Sequence, residues 1–172
     1  KYAVLIIIAA AIVTFFIRRY IKTPKGKLKY HRILLNIPVL KDVITKVAIA
    51  RFSRTFSSLM SSGVSVIEAI EITAASIGNK VLENELLAAA NDVKAGKQLS
   101  EPILNSPHYP AIVGQMLAIG EETGETDTIL IKIADFYEEE VDATIESLSS
   151  ILEPMMIVIL GAMVGLVAAS VM

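Results

Sequence analysis

The chain has 172 residues, of which 53% are hydrophobic, and it contains two His and no Cys. This composition excludes disulfides, a Cys nucleophile and thiolate metal ligands, and it leaves little for a zinc site. The net charge of −2 hides a partition: residues 1–32 hold eight cations and no acid, residues 33–153 hold every acid, and residues 154–172 are uncharged. Soluble domains do not normally sort charge this way, so we expect a membrane protein.

The first predicted element is a transmembrane helix over residues 1–21. Its uncharged part, 2–17, would be about 24 Å long as a helix, and Arg18 and Arg19 can snorkel to the edge of a hydrocarbon layer roughly 30 Å thick. A cleaved signal peptide is the alternative, but here the cations follow the apolar run and no small-residue cleavage site comes after it. Because the chain begins at Lys1 and ends inside an apolar run, we expect it to be a piece of a longer protein.

A basic segment follows, which we interpret as a cytoplasmic linker over residues 22–40. The cations beside the first span predict that this side of the membrane is the cytoplasm and that lipid attracts them: Arg18, Arg19, Lys22, Lys25, Lys27, Lys29 and Arg32. A nucleic-acid surface is the competing interpretation. The basic segment lacks interleaved aromatic residues beyond Tyr20 and Tyr30, so we expect no nucleic acid partner.

Residues 41–150 have helical periodicity throughout and predict six helices with short connections, that is, a compact antiparallel bundle. The helix boundaries follow from capping residues and from glycines that tolerate a left-handed conformation: Ser65 with Glu68, Asn79, Gly63, Gly78 and Gly96. A proline-flanked turn, 106–110, precedes the fifth helix. The sixth should turn a regular apolar stripe inward: Leu130, Ile133, Tyr137, Val141, Ile145, Leu148 and Leu152.

The sixth helix is expected to continue into a second membrane span over residues 151–172. From Pro154 onward, 19 uncharged residues would give about 28 Å of helix. A buried core helix is the alternative, but such helices usually have a polar face. Glu153 can still reach water at the boundary, and Pro154 can kink the helix there. A small-residue stripe predicts close packing against another helix, unless it reflects only the frequency of Gly in membrane helices: Gly161, Gly165, Ala168 and Ala169.

Opposite charges are concentrated on two of the predicted helices. Cations lie on the first bundle helix, namely Lys41, Lys46, Arg51 and Arg54, and acids on the sixth, namely Asp135, Glu138, Glu139, Glu140 and Asp142. They can pair with each other, face a partner or simply face solvent, and exposed pairs contribute only about 0–1 kcal/mol each. The sequence leaves these alternatives open.

Catalytic motifs are missing from the sequence. Gly96-Lys97 lacks the remainder of a phosphate-binding loop, and His31 and His108 lie in polar, loop-like stretches without partners at ligand spacing. The stretch 117–130 has four acids that could hold a hard cation, but it lacks the alternating oxygen ligands of a calcium loop. We interpret it as a helix–helix corner, with Gly120 allowing close approach and Gly124 ending a helix. We therefore expect no enzyme, no cofactor and no metal.

Several of these residues also occur together, in order, in one known pattern. They are Arg51, Phe52 and Arg54; Gly63; Asn79 after Gly78; Gly96; Pro110; Gly120, Glu121 and Gly124; and Glu153 with Pro154. Over about residues 45–172 the chain resembles the type II secretion F domain family, the inner-membrane platform proteins of type IV pilus and type II secretion machines. Tyr109 replaces the Phe that usually precedes Pro110.

The resemblance implies a fold, a location and a role. The chain would be the C-terminal half of such a protein: a span, the second copy of the F domain (41–150) and a last span. Its stretch 134–142 is more similar to pilus members than to secretion members. The implied role is non-enzymatic, in contact with a hexameric cytoplasmic assembly ATPase, pilin or pseudopilin, other inner-membrane machine components and further copies of itself. A transporter or sensor fragment is the other class considered, but the spans lack mid-membrane polar residues beyond Thr14 and Ser170.

Overall fold

The computed structural model describes Arg19 and residues 23–171 of the chain. Apart from Arg19, the predicted span over 1–21, including Arg18, lies outside the described residues. Within the described residues, the secondary structure is helical and contains no strand. The helices are α1 Pro24–Asn36, α2 Pro38–Ser61, α3 Val66–Ser76, α4 Lys80–Lys94, α5 Ser100–Leu104, α6 Ala111–Thr123 and α7 Thr126–Val171. The six helices predicted from residue 41 onward correspond to α2–α7.

Helices α1–α6 and the first half of α7, up to Ser149, surround one hydrophobic core, and we call this part the packed body. The longest interface joins α2 to α7, while α3 packs on α4 and α5 on α6. Phe52 and Phe56 of α2 stack with their ring centroids 5.4 Å apart, and both are almost fully buried. The core is completed by Ile70, Leu82, Leu86, Val113, Leu117, Leu130 and Ile133.

The predicted helix boundaries are confirmed by their local geometry. The Ser65 hydroxyl accepts a hydrogen bond from the Glu68 backbone N–H, and the Asn79 carboxamide oxygen accepts one from the Val81 N–H at 2.9 Å, so both are N-caps. The glycines expected to end helices have positive φ angles, between 74° and 93°: Gly63, Gly78, Gly96 and Gly124. Any other residue type would be strained there.

Helix α7 is continuous over 46 residues and includes Pro154 in its interior. Its first half contributes Leu130, Ile133 and Tyr137 to the core, as the apolar stripe predicts. The prediction that Ile145 faces inward is wrong, because its side chain is 50% exposed. At this level the half-buried positions are Thr144, which accepts a hydrogen bond from Lys46 of α2, and Leu148, so Ile145 lies beside the packed face.

The segment interpreted as a basic linker contains a helix, α1, which packs against α2 and α4. Thr23 caps its N-terminus by accepting the Gly26 N–H at 3.1 Å, and Leu35 is buried in the core. The expectation that His31 lies in a polar loop is therefore wrong. Leu28, His31 and Leu35 recur at the i, i+3 and i+7 spacing of one helix face, and the concentration of cations obscured that periodicity in the sequence.

Candidate functional site

Arg54 on α2 forms ion pairs across the longest interface of the packed body, the one between α2 and α7. Its guanidinium donates to both carboxylate oxygens of Glu138, at 3.0 and 2.7 Å, and to Asp135 at 2.6 Å. These hydrogen bonds lower the pKa of Glu138 below its ordinary value of 4.5. The site is largely exposed, so its contribution is to fix the rotation of α7 against α2 more than to add stability.

Lys46 makes a second connection, two turns earlier in α2. Its ammonium lies 3.0 Å from Glu140 and 3.0 Å from Asp42, and it donates to the Thr144 hydroxyl at 3.1 Å. The neighbouring carboxylates raise the pKa of Lys46 above its ordinary value. Because Lys46 precedes Arg54 while Thr144 follows Glu138, the two helices run antiparallel. The alternative left open by the sequence is thus resolved for Arg54 and Lys46: they pair inside the chain.

Arg51 lies on the same helix but has a different environment. It is exposed and forms no ion pair within the part of the chain that the structure describes. With Arg54 it lines a groove of about 430 Å³ between α2 and α7, whose other wall includes Glu138, Val141 and Asp142. Gly78 leaves room for its guanidinium, since a Cβ there would lie 3.3 Å from the Arg51 Nη1. An unpaired guanidinium beside an open groove is available to an external acceptor.

The acidic corner between α6 and α7 has a structural use. The Glu121 carboxylate accepts hydrogen bonds from the backbone N–H groups of Leu99 (2.6 Å) and Ser100 (3.2 Å), so it caps the short helix α5 from outside. Gly120 permits close approach as expected, because a Cβ there would lie 3.0 Å from the Thr126 Cα. In the described residues no group of three or more metal-binding side chains converges.

Three contacts were not anticipated from the sequence. The sequence offers the histidines no partners at metal-ligand spacing, but each makes a hydrogen-bonding contact: the His31 Nδ1 accepts the Lys80 N–H at 2.7 Å, and the His108 Nδ1 lies 2.6 Å from the Glu85 carboxylate. Such contacts join residues 49 and 23 positions apart and leave no local pattern. The third contact is the close approach of α6 to α5 at Gly114, where a Cβ would lie only 2.5 Å from the Leu104 Cγ.

A second cleft, of about 420 Å³, lies where the start of α2 meets the proline-flanked turn before α6. Thr45 and Tyr109 both line it, and their buried hydroxyls have no hydrogen-bond partner among the described residues. Burial raises the pKa of Tyr109 well above its ordinary value, so the phenol stays protonated. Pro110, predicted as a motif residue, immediately precedes α6, where its ring and lack of an N–H suit a helix start.

The second half of α7 is exposed on every side. Within the described residues it belongs to the one helix that is long and apolar enough to cross a membrane. Among the residues that the structure describes, no neighbouring side chain comes within 4 Å of the position that a Cβ would take at Gly161 or Gly165. Ala168 and Ala169 are exposed too, as are Pro154 and Arg19. The small-residue stripe is present on the helix surface, but its packing partner stays a prediction.

One known protein family matches most of the chain. The family described as type II secretion system (T2SS), protein F matches residues 52–172, from the stacked Phe52 to the end of the chain. The chain belongs to this family. Most of its motif residues have internal roles here: Phe52 fills the core, Asn79 caps α4, Glu121 caps α5 and the glycines form turns or close contacts. Arg51 and Pro154 are exposed instead.

Several relatives are similar over most of the chain. The type IV pilus assembly protein PilC of Thermus thermophilus is 43% identical over 169 residues, 97% of this chain and 42% of the relative. PilC of Myxococcus xanthus is 40% identical over 155 residues, 90% and 37% respectively. The type II secretion system protein F of Pseudomonas aeruginosa is 31% identical over 144 residues, 84% and 36%. The chain therefore spans well under half the length of the relatives it matches.

Proposed function

We propose that this chain is the C-terminal part of a non-enzymatic platform protein in the bacterial inner membrane, serving a type IV pilus assembly machine. In that role it couples a cytoplasmic assembly ATPase to the insertion or extraction of pilin. The observation that carries the proposal is α7, a single helix that belongs to the packed body at one end and to an apolar segment at the other. The names of its relatives supply the machine.

The proposed topology follows from charge and apolar length. Residues 1–21 and 151–172 cross the membrane, and residues 41–150 form a cytoplasmic bundle, the second F-domain copy, joined to the first span by the basic segment 22–40. The seven cations between Arg18 and Arg32, at the end of the first span and just beyond it, favour the cytoplasmic side for that segment. Glu153 and Pro154 then lie at the membrane boundary, where the last charge of the chain can reach water.

The mechanism proposed is mechanical transmission. A 46-residue helix is about 69 Å long, enough to cross both the body and a bilayer. Arg54 and Lys46 fix α7 to α2 at two levels, so a displacement applied to α2 reaches the bilayer without passing through a loop. No covalent step by this chain is required, since the ATPase would supply the energy.

Two surfaces are proposed for partners. The groove beside Arg51 is proposed to receive an acidic surface of the ATPase, because Arg51 is an exposed motif cation that forms no ion pair within the described residues. The stripe of Gly161, Gly165, Ala168 and Ala169 is proposed to pack against pilin, the first span or a second copy of the protein. Close helix approach in membranes favours such small residues.

The equivalent platform protein of a type II secretion system is the second candidate. One relative of that name is 31% identical, whereas the two pilus relatives compared above are 43% and 40% identical. This difference favours the pilus assignment.

Topology is tested first, by cysteine labelling. The chain has no Cys, so Lys97→Cys places a single exposed thiol on the packed body. In spheroplasts we expect a membrane-impermeant maleimide to label it only after lysis. Labelling in intact spheroplasts would place the body outside the cytoplasm and contradict the proposal.

Partners are tested by photo-crosslinking in cells, with products identified by mass spectrometry. A crosslinker at Arg51 is expected to capture the assembly ATPase, and one at Val158 to capture pilin. Glu122, an exposed position at the far corner, is the matched control for Arg51. Capture of pseudopilin and a secretion ATPase would favour the second candidate, whereas ATP hydrolysis by the purified protein alone would overturn both.

A further inference from the structure

Helix α1 has three distinct faces. Leu28, His31 and Leu35 turn toward the core. On the opposite side Tyr30 and Ile33 are 41% and 52% exposed. Ile37, which directly follows the helix, is 42% exposed, and Val39 and Leu40 at the start of α2 are 53% and 39% exposed. We call these five residues the α1 apolar strip. A cluster of large exposed apolar side chains on a packed body usually marks a contact surface.

Cations flank the α1 apolar strip. Lys25, Lys29 and Arg32 recur at the i, i+4 and i+7 spacing of one helix face, and all three are exposed. Lys27 lies on the other side of the strip. None of the four forms an ion pair within the described part of the chain, in contrast to Lys46 and Arg54 of α2. Unpaired cations beside an exposed apolar face are typical of helices that lie on an anionic membrane surface.

The height of α1 along the packed body points to the same occupant. In the antiparallel pair, Arg54 contacts Glu138 and Lys46 contacts Thr144. Both helices rise 1.5 Å per residue, so Pro38, eight residues before Lys46, is level with about residue 151 of α7. The last charge of the chain is Glu153, and everything beyond it is uncharged. Ile37, Val39 and Leu40 adjoin Pro38 in the chain, so this end of the α1 apolar strip lies at the level where α7 becomes suited to lipid.

We propose that α1 is an interfacial helix that docks the packed body on the anionic cytoplasmic surface of the bilayer. Tyr30, Ile33, Ile37, Val39 and Leu40 insert among the acyl chains near the headgroups, and Lys25, Lys29 and Arg32 pair with lipid phosphates. This inference rests on the proposed function to the extent that α7 must cross the same bilayer. It adds a second, sideways attachment, which restrains the body from rotating freely around the α7 axis.

The test uses single cysteines in the otherwise cysteine-free 172-residue chain, labelled with bimane and reconstituted in vesicles containing nitroxide lipids. Ile33→Cys and Ile37→Cys report on the strip. Ile119→Cys is the matched control, since Ile119 is 54% exposed but lies near the opposite end of the packed body. Val158→Cys reports on α7 itself.

We expect several-fold stronger quenching at positions 33 and 37 than at position 119 when the nitroxide lies near the headgroups. The contrast should grow when phosphatidylglycerol replaces half of the phosphatidylcholine, and shrink again at high salt, because salt screens exposed charges. The combined variant Lys25→Gln, Lys29→Gln and Arg32→Gln should lose the dependence on phosphatidylglycerol, whereas Lys132→Gln on α7 should keep it.

Equal, weak quenching at positions 33, 37 and 119, with strong quenching at position 158, would overturn this inference and leave the proposed membrane span intact. Emission shifts at 33 and 37 that depend on protein concentration, without nitroxide quenching, would assign the strip to a second protein copy and overturn it too. If position 158 is unquenched, the proposed topology fails as well.

Discussion

The two halves of α7 use apolar residues in opposite ways. Up to Ser149, Leu130, Ile133 and Tyr137 face the core while charged residues occupy much of the exposed surface. From Pro154 onward the helix is apolar all round, and Ile157, Val158 and Val164 are between 66% and 70% exposed. An amphipathic helix is stabilised by its own chain, whereas a helix that is apolar on every side needs lipid or other helices around it. One backbone element thus depends on two environments.

The glycines reveal the same difference. In the packed body Gly114 and Gly120 are surrounded, so that an added Cβ would meet Leu104 or Thr126 at 3.0 Å or less. In the apolar half, the described part of the chain brings nothing within 4 Å of a Cβ added at Gly161 or Gly165. The first pair is occupied by contacts inside the chain, and the second pair is open to contacts from outside. Substitutions that are matched between the two regions can test this distinction.

Phe52→Ala should have the largest effect. It removes a stacked, fully buried ring from the core, and we expect a loss of about 3–5 kcal/mol in the free energy of unfolding. Val158→Ala, in the exposed half of α7, should stay within about 0.5 kcal/mol. Urea unfolding in detergent, followed by circular dichroism, measures both. Equal losses would show that the apolar half is packed against the body after all.

Gly114→Leu should come next, at about 1–3 kcal/mol or more, because the new side chain overlaps Leu104. Gly165→Leu, the same change in the apolar half, should leave thermal unfolding unchanged and impair pilus assembly in cells. The pair separates folding from assembly. Normal piliation in Gly165→Leu would contradict the proposed packing role of the small-residue stripe.

Glu121→Ala should cost about 1–2 kcal/mol, because two backbone N–H groups at the start of α5 lose a charged acceptor. Glu122→Ala is the control, since Glu122 is exposed at the neighbouring position. Hydrogen exchange should rise at Leu99 and Ser100 in the first variant alone. Should the two variants behave alike, the corner acids act only through their charge.

His31→Asn should have the smallest effect at neutral pH and a distinct effect in acid. Burial lowers the pKa of His31 below 6.5, Lys27 lowers it further, and Glu83 partly opposes them. The folded state therefore binds fewer protons than the unfolded state as pH falls below 6.5, so the stability contributed by neutral His31 is present above that value and lost below it. The variant keeps a hydrogen-bond acceptor without this titration.

The measurement is the free energy of unfolding at several pH values from about 8 to about 5, where histidine titrates. The wild type should lose stability as the pH falls, and the His31→Asn profile should be flatter. Carboxylates contribute equally to both profiles and cancel in the difference. Parallel profiles would mean that folding leaves the pKa of His31 unchanged, which contradicts this prediction because a protonated Nδ1 cannot accept the Lys80 N–H.

Local signals predicted much of this fold. The Ser65 and Asn79 caps, the helix-ending glycines and the length of α7 could be read from a few neighbouring residues, because capping and left-handed backbone depend on local chemistry. The close approach at Gly120 was also predictable, since the glycine lies one turn before the corner it serves.

The contacts that could not be predicted join residues that are far apart in the sequence. The Glu121 contact spans 22 residues, the His31 contact 49 and the Arg54 contacts more than 80, so no sequence spacing announces them. Helix α1 was missed for a different reason. Its cations dominated the interpretation of the segment and concealed Leu28 and Leu35, two apolar residues one heptad apart.

The pairing of α2 with α7 also has a consequence for the order of synthesis. Phe52 and its neighbours on α2 leave the ribosome more than 70 residues before Leu130 and Ile133. Until α7 emerges, that face of α2 has no permanent cover, and exposed apolar surface of this kind favours misassembly. The helix that closes the core is also the one that continues into the apolar segment, so the packed body is completed just before its apolar segment is translated.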